Sequence, residues 1–183
     1  MDDLRFIRQT MERAGSFTAL SGWGMATVGV IGLVAAYMAT QQAQPVTWLA
    51  TWLAAALVAF AVSTVTTLRK ASRAGQPVLE GPGRKLMLSF VPPAAAAALL
   101  TPVLFQSGQH QLLPAVWLLL FGASVINAGI FSVRAIPVMG VAFMFLGAAA
   151  LFAPPSLGDV FMATGFGVLH LVVGAVIIRR YGG

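Results

Sequence analysis

A chain of 183 residues that is 58% hydrophobic and 9% charged, with a mean hydropathy of +0.87, is not an ordinary soluble domain, which carries about 25% charged residues. The net charge of +6 does not point to nucleic acid, because the bases are confined to the flanks of apolar runs. The chain has no cysteine, which excludes disulfides, thiolate catalysis, iron–sulfur ligation and thiolate zinc sites.

A bilayer core about 30 Å thick asks for about 20 apolar residues per helix. Runs at roughly 17–40, 46–68, 86–105, 112–133, 135–153 and 159–178 meet that length, so the expected fold is all-α and polytopic with six transmembrane helices. Arg5, Arg8 and Arg13 precede the first run; Arg69, Lys70, Arg73, Arg84 and Lys85 lie between the second and third. Arg134 lies between the fourth and fifth, and Arg179 and Arg180 follow the sixth, which accounts for all 11 Lys and Arg residues. The loops around Gln41–Gln44, Gln106–Gln111 and Pro154–Gly158 hold no base. Short basic loops stay in the cytoplasm. Both termini are therefore expected there, with the chain in the bacterial inner membrane, and charge and hydropathy agree on an even number of spans.

In chain order, residues 1–16 read as an interfacial amphipathic helix. Asp2 and Asp3 suit its N-terminus, and Leu4, Ile7, Met11 and Ala14 recur at helical spacing opposite Arg5, Arg8, Glu12 and Arg13. Setting orientation and docking a partner both fit such a helix. The first apolar run follows an acidic start and lacks a small-x-small cleavage site, so it reads as a retained span. It carries Gly22 and Gly29, seven residues apart and so on one face; the fifth carries Gly140 and Gly147 at the same separation. Small residues let helix backbones approach in lipid, within one chain or across a dimer.

The second span ends Ser63-Thr64-Val65-Thr66-Thr67, whose hydroxyls can bond to carbonyls a turn back. Trp23, Trp48, Trp52, Trp117 and Tyr181 fall near run ends, as interfacial anchors do. Residues 69–85 form a basic cytoplasmic loop broken by Gly75, Pro77, Gly81, Pro82 and Gly83. Its Arg69, Lys70, Arg73, Arg84 and Lys85 are expected to hold anionic headgroups at about 1 kcal/mol per charge. Gly81-Pro82-Gly83-Arg84-Lys85 is not a phosphate loop, since it lacks the glycine spacing and the final Ser or Thr.

Pro92-Pro93 near the middle of the third span removes two donors and frees the carbonyls of Leu88 and Ser89. Lipid cannot satisfy those oxygens. Two outcomes fit: a packing kink, or a broken helix of the kind that builds transporter sites. The short turn at Arg134 and Pro137 makes the fourth and fifth spans antiparallel neighbours.

Candidate chemistry is sparse. His170, in the middle of the sixth span, is ionisable and intramembrane, which is a functional hypothesis in itself. Gly167 and Gly174, at i−3 and i+4, put its ring on a small-residue face, where a hydroxyl or carbonyl could satisfy it. Roles in solute or proton movement, or in haem or metal binding, are the alternatives. Asn127, with Ser124 at i−3, is expected to bond across to the sixth span. Asp159 is the sole acid on the outer side, and no sequence neighbour pairs it with a nucleophile or a second carboxylate. Without convergent polar groups the sequence implies no enzyme, no metal and no cofactor.

Phe121-Gly122, Gly129 and Arg134 are matched at one constant interval by Phe166-Gly167, Gly174 and Arg179, so one membrane-spanning unit has been used more than once. The stretch from Arg134-Ala-Ile-Pro137 through Gly140, Gly147, Ala150-Leu-Phe-Ala-Pro154, Gly167, Gly174 and Arg179 resembles the HdeD-like family of small six-helix bacterial inner-membrane proteins. The resemblance implies three successive hairpins, here 17–69, 86–134 and 135–180, and the echo of Ala150–Pro154 in Ala98-Leu-Leu-Thr-Pro102 agrees with that cut. It also implies a stress-associated role, acid resistance in the named member, with no catalytic residues to carry over. Ala128 and Val173 stand where members often have an acid before the glycine. The leading expectation is a non-enzymatic membrane protein acting through helix packing or self-association with a homo-oligomeric or membrane-protein partner. A small-solute or proton permeation protein using Pro92-Pro93 and His170 is the rival, and a haem- or lipid-binding protein the third reading.

Overall fold

The computed structural model describes residues 17–76 and 78–181. The expected interfacial helix over 1–16 lies outside them. Among the described residues six helices are long and apolar enough to cross a membrane: α1 (Gly22–Thr40), α2 (Pro45–Arg73), α3 (Gly81–Gln106), α4 (His110–Gly129), α5 (Ala135–Phe152) and α6 (Pro155–Tyr181). Among the described residues there is no β-strand, only a single bridge between Phe17 and Ser132.

Local chemistry sets the boundaries. Ser21 caps α1, its hydroxyl accepting from the Gly24 N–H at 3.1 Å. Proline lies within the first turn of α2, α3 and α6, and of the α-helical part of α4 that begins at Leu113, where its missing N–H costs nothing. Gly75 and Gly108 follow α2 and α3 at φ +62° and +74°, the left-handed conformation that glycine adopts without a Cβ penalty. Because nothing before Gly75 breaks α2 and Pro82 is tolerated at the start of α3, the expected loop over 69–85 shrinks to 74–80. Its five bases sit on helix ends. Thr66 does bond back, to the Val62 carbonyl at 2.7 Å.

Hydrogen bonds gather the base-bearing end. The Phe17 N–H donates to the Phe131 carbonyl at 2.7 Å, and the Ser132 hydroxyl donates to the Phe17 carbonyl at 2.9 Å. Lys70 Nζ donates to the carbonyls of Leu20 at 3.3 Å and Tyr181 at 3.4 Å. The start of α1 and the end of α6 are thereby tied to one end of the bundle.

The tightest neighbours are α4 with α5, α3 with α4, α1 with α6 and α1 with α2. The helices of the third hairpin, α5 and α6, touch each other far less than they touch α4 and α1. The duplicated motif shows why. A Cβ on Gly140 of α5 would lie 2.7 Å from the Gly122 carbonyl and 2.8 Å from the Ile126 nitrogen of α4. A Cβ on Gly29 of α1 would lie 2.8 Å from the Gly167 carbonyl and 2.9 Å from the Leu171 nitrogen of α6. Gly122 and Ile126 are the sequence counterparts of Gly167 and Leu171. The same crossing is thus built twice, once between consecutive helices and once between the first helix and the last. Gly129 meets Pro137 and Gly174 meets Ala26 in matching places. Gly22 packs on Ile178 and Gly147 on Leu119, so all six of these packing glycines, Gly22, Gly29, Gly140, Gly147, Gly167 and Gly174, are used within the chain.

Around these crossings sits the core, with Leu113, Leu118, Phe143, Met162 and Ile177 fully enclosed. α2 and α3 are peripheral: α2 buries only Trp52 and Ala71, α3 only Gly83 and Thr101.

Candidate functional site

The first locus is the centre of α6. Its turn Ala163–Leu169 is π-helical, and a Cβ on Gly32 would stand 2.5 Å from the Phe166 carbonyl, so the widened backbone is received by a glycine of α1. His170 follows at once and is buried. Its ring lies against Phe121 at 5.7 Å, Phe143 at 5.6 Å and Phe166 at 6.3 Å between centroids, nearly parallel to the last. Its Nδ1 is 3.4 Å from the Gly165 carbonyl of its own helix.

The face differs from the expected one. Gly167 and Gly174 meet Leu33 and Ala26 of α1, while the His170 ring reaches α4 and α5. The π turn takes Gly167 out of the 3.6-residue register on which the i−3 relation rests.

Two other expectations fail, and at Pro92-Pro93 one of the two expected outcomes is not met. Asn127 is exposed and makes no side-chain hydrogen bond among the described residues, because the face of α4 that carries it points away from α6. Ser124 is fully enclosed, but its hydroxyl has no partner among the described residues, so the expected bond to α6 does not form. Pro92 and Pro93 do not break α3, which continues to Gln106 with Pro92 exposed. Proline's fixed φ is itself helical, so the pair lies within a continuous helix, and of the two expected outcomes the break is the one not met.

The second locus was not visible in the sequence. At the base-free end, Asp159 Oδ1 accepts hydrogen bonds from Trp48 Nε1 at 2.8 Å and Trp52 Nε1 at 3.3 Å. Trp48 stacks on Trp117, with centroids 5.8 Å apart and planes 14° apart. Trp117 Nε1 donates to Thr101 Oγ1 at 2.9 Å, and that hydroxyl donates to the Ala97 carbonyl at 2.7 Å. One chain of polar and aromatic contacts therefore joins α3, α4, α2 and α6, using the few buried side chains that α2 and α3 possess. Trp52 is 4% exposed, so it is a buried donor and not the lipid-facing anchor expected of it. Trp23, 64% exposed, does keep an outward place.

Beside Asp159 opens a cleft of about 270 Å³, lined by Gln42, Gln44, Trp48, His110 and Gln111 among others. Polar groups do converge here, against the sequence expectation. They come from one loop and three spans far apart in the chain, which is why no local motif announced them. The usable signal was a lone acid facing a base-free end together with three tryptophans on spans that finish there.

No protein-family model matches this chain, and no curated protein or solved structure matches it either.

Proposed function

We propose that this chain is a non-enzymatic multi-pass protein of the bacterial inner membrane, with both termini cytoplasmic, acting as a closed helical bundle in an envelope or stress response and not as a conduit. The observation that carries the reading is the closure of the bundle centre. His170 is enclosed by Phe121, Phe143 and Phe166, and the two glycine crossings bring backbones together on either side. The cytoplasmic assignment is supported by the described bases, which all lie toward the end tied by Lys70 and Ser132. The resemblance to HdeD-like proteins agrees with the stress setting. On this reading Arg69, Lys70, Arg73, Arg84 and Lys85 meet anionic headgroups. Self-association falls to the outward faces of α2 and α3, because the packing glycines are occupied within the chain.

The test is flux of protons and small solutes into proteoliposomes. No flux above empty liposomes is expected, with or without His170→Ala; flux that depends on His170 would defeat the reading. Permeation has one observation in its favour. A π turn adjoins the buried His170, and such turns concentrate at functional sites. Its other residues, Pro92 and Pro93, lie on the peripheral α3, with Pro92 exposed.

A further inference from the structure

From the geometry we infer that the cleft at Asp159 is a binding site for a primary ammonium group, carried by a small amine or by the headgroup of an ethanolamine lipid.

The carboxylate is the starting point. Its partners among the described residues are two indole N–H groups, which orient the carboxylate through Oδ1 but bring no positive charge. Among the described residues it makes no ion pair, and the three loops at this end contain no Lys or Arg. Asp159 lies in the first turn of α6, whose free N–H groups favour a carboxylate but carry no full positive charge, so a fixed carboxylate facing the cleft can still receive a cation.

The rest of the lining selects which cation. Gln42, Gln44, Gln111 and His110 line the cleft, side chains that can offer amide oxygens and a ring nitrogen. Those neutral acceptors beside one carboxylate match the three N–H donors of a primary ammonium. They are a poor set for magnesium or calcium, which take several oxygen ligands and favour carboxylates. A quaternary ammonium would need an open aromatic face. Trp48 has one face committed to Trp117, so hydrogen bonding dominates over ring contact. A volume near 270 Å³ admits a ligand of a few heavy atoms. The cleft lies at an end of the bundle, between the start of α6 and the loop that joins α1 to α2, so a lipid amine and a free amine both have access.

The experiment uses the full chain in nanodiscs and reads tryptophan fluorescence, since Trp48, Trp52 and Trp117 are three of its four tryptophans. Ethanolamine and methylammonium are titrated against sodium, magnesium and tetramethylammonium at matched ionic strength. In phosphatidylglycerol discs the primary amines are expected to give a saturable change on the order of millimolar, as suits so small a ligand. Asp159→Asn keeps an acceptor for the indoles and should weaken binding about tenfold or more. Gln111→Lys alters an exposed side chain, so the fold is not at stake. It supplies a tethered ammonium and should abolish the response. Repeating the titration in discs containing phosphatidylethanolamine separates the sources: a response lost there assigns the site to the headgroup, and one retained assigns it to a free amine. An equal response to sodium or tetramethylammonium overturns the inference, as does no response in phosphatidylglycerol discs or an unchanged response in both variants.

Discussion

Adding one methyl group at Gly29 or Gly140 tests whether the two helix crossings are equivalent. In the native crossing, the Cβ of Gly29→Ala would lie 2.7 Å from Leu171 Cγ, 2.8 Å from the Gly167 carbonyl and 2.9 Å from the Leu171 nitrogen. Ordinary contact begins near 3.4 Å, so α1 and α6 must separate by roughly 0.6 Å (3.4 less 2.8), and two of the three obstructing atoms are backbone that cannot rotate away. A gap of about that size forfeits roughly a quarter of the dispersion well for the atoms lining it, and overpacking of this kind costs about 1–3 kcal/mol. Gly140→Ala meets the Gly122 carbonyl at 2.7 Å and the Ile126 nitrogen at 2.8 Å, so its cost should equal that of Gly29→Ala. Ala148→Leu, on an exposed position of α5, is the control and should stay within about 0.5 kcal/mol. The assay is reversible unfolding in mixed micelles by titration with dodecyl sulfate, followed by far-ultraviolet circular dichroism. Neutral behaviour of either glycine variant, or a loss at Ala148 as large as theirs, would refute the reasoning.

Two further outcomes follow from single polar groups. Ser124→Ala removes a hydroxyl that is enclosed and unpartnered among the described residues, so the same unfolding assay should show no loss and up to about 1 kcal/mol of gain; a loss of that size would mean the hydroxyl is bonded in the membrane. Asn127→Leu should leave stability unchanged or raised, because Asn127 is exposed. A loss of about 1–2 kcal/mol would restore it as an interhelical bond.

Number and placement of spans were legible because hydropathy and the positions of Arg and Lys are properties of contiguous stretches. The repeated glycine spacing was legible for the same reason, and it marked the right residues. What it could not reveal was the partner: Gly29 and Gly140 occupy equivalent positions only because α1 closes onto α6 from the far end of the chain. Pairings at such separation leave no periodicity behind. The Asp159 site was hidden likewise, since Trp48 and Trp52 lie 111 and 107 residues from the carboxylate they hold. His170 was found readily, as any histidine in an apolar run would be. The carbonyl expected beside its ring is there, at Gly165, but on a face apart from Gly167 and Gly174, and a π turn is invisible to a rule that assumes 3.6 residues per turn. At Pro92-Pro93 the sequence leaves a kink and a break open, and the helix is unbroken, since proline's fixed φ is compatible with a continuous helix.

The most direct measurement concerns which aqueous compartment each end of the bundle occupies. The native chain has no thiol, so single cysteines at Gln42, Ser107, Ser156 and Ser72 can be tagged one at a time with a membrane-impermeant reagent on intact cells. Six crossings with the bases held inside predict labelling at Gln42, Ser107 and Ser156 and none at Ser72. Failure to label any of the first three, or labelling of Ser72 to the same extent, would contradict it.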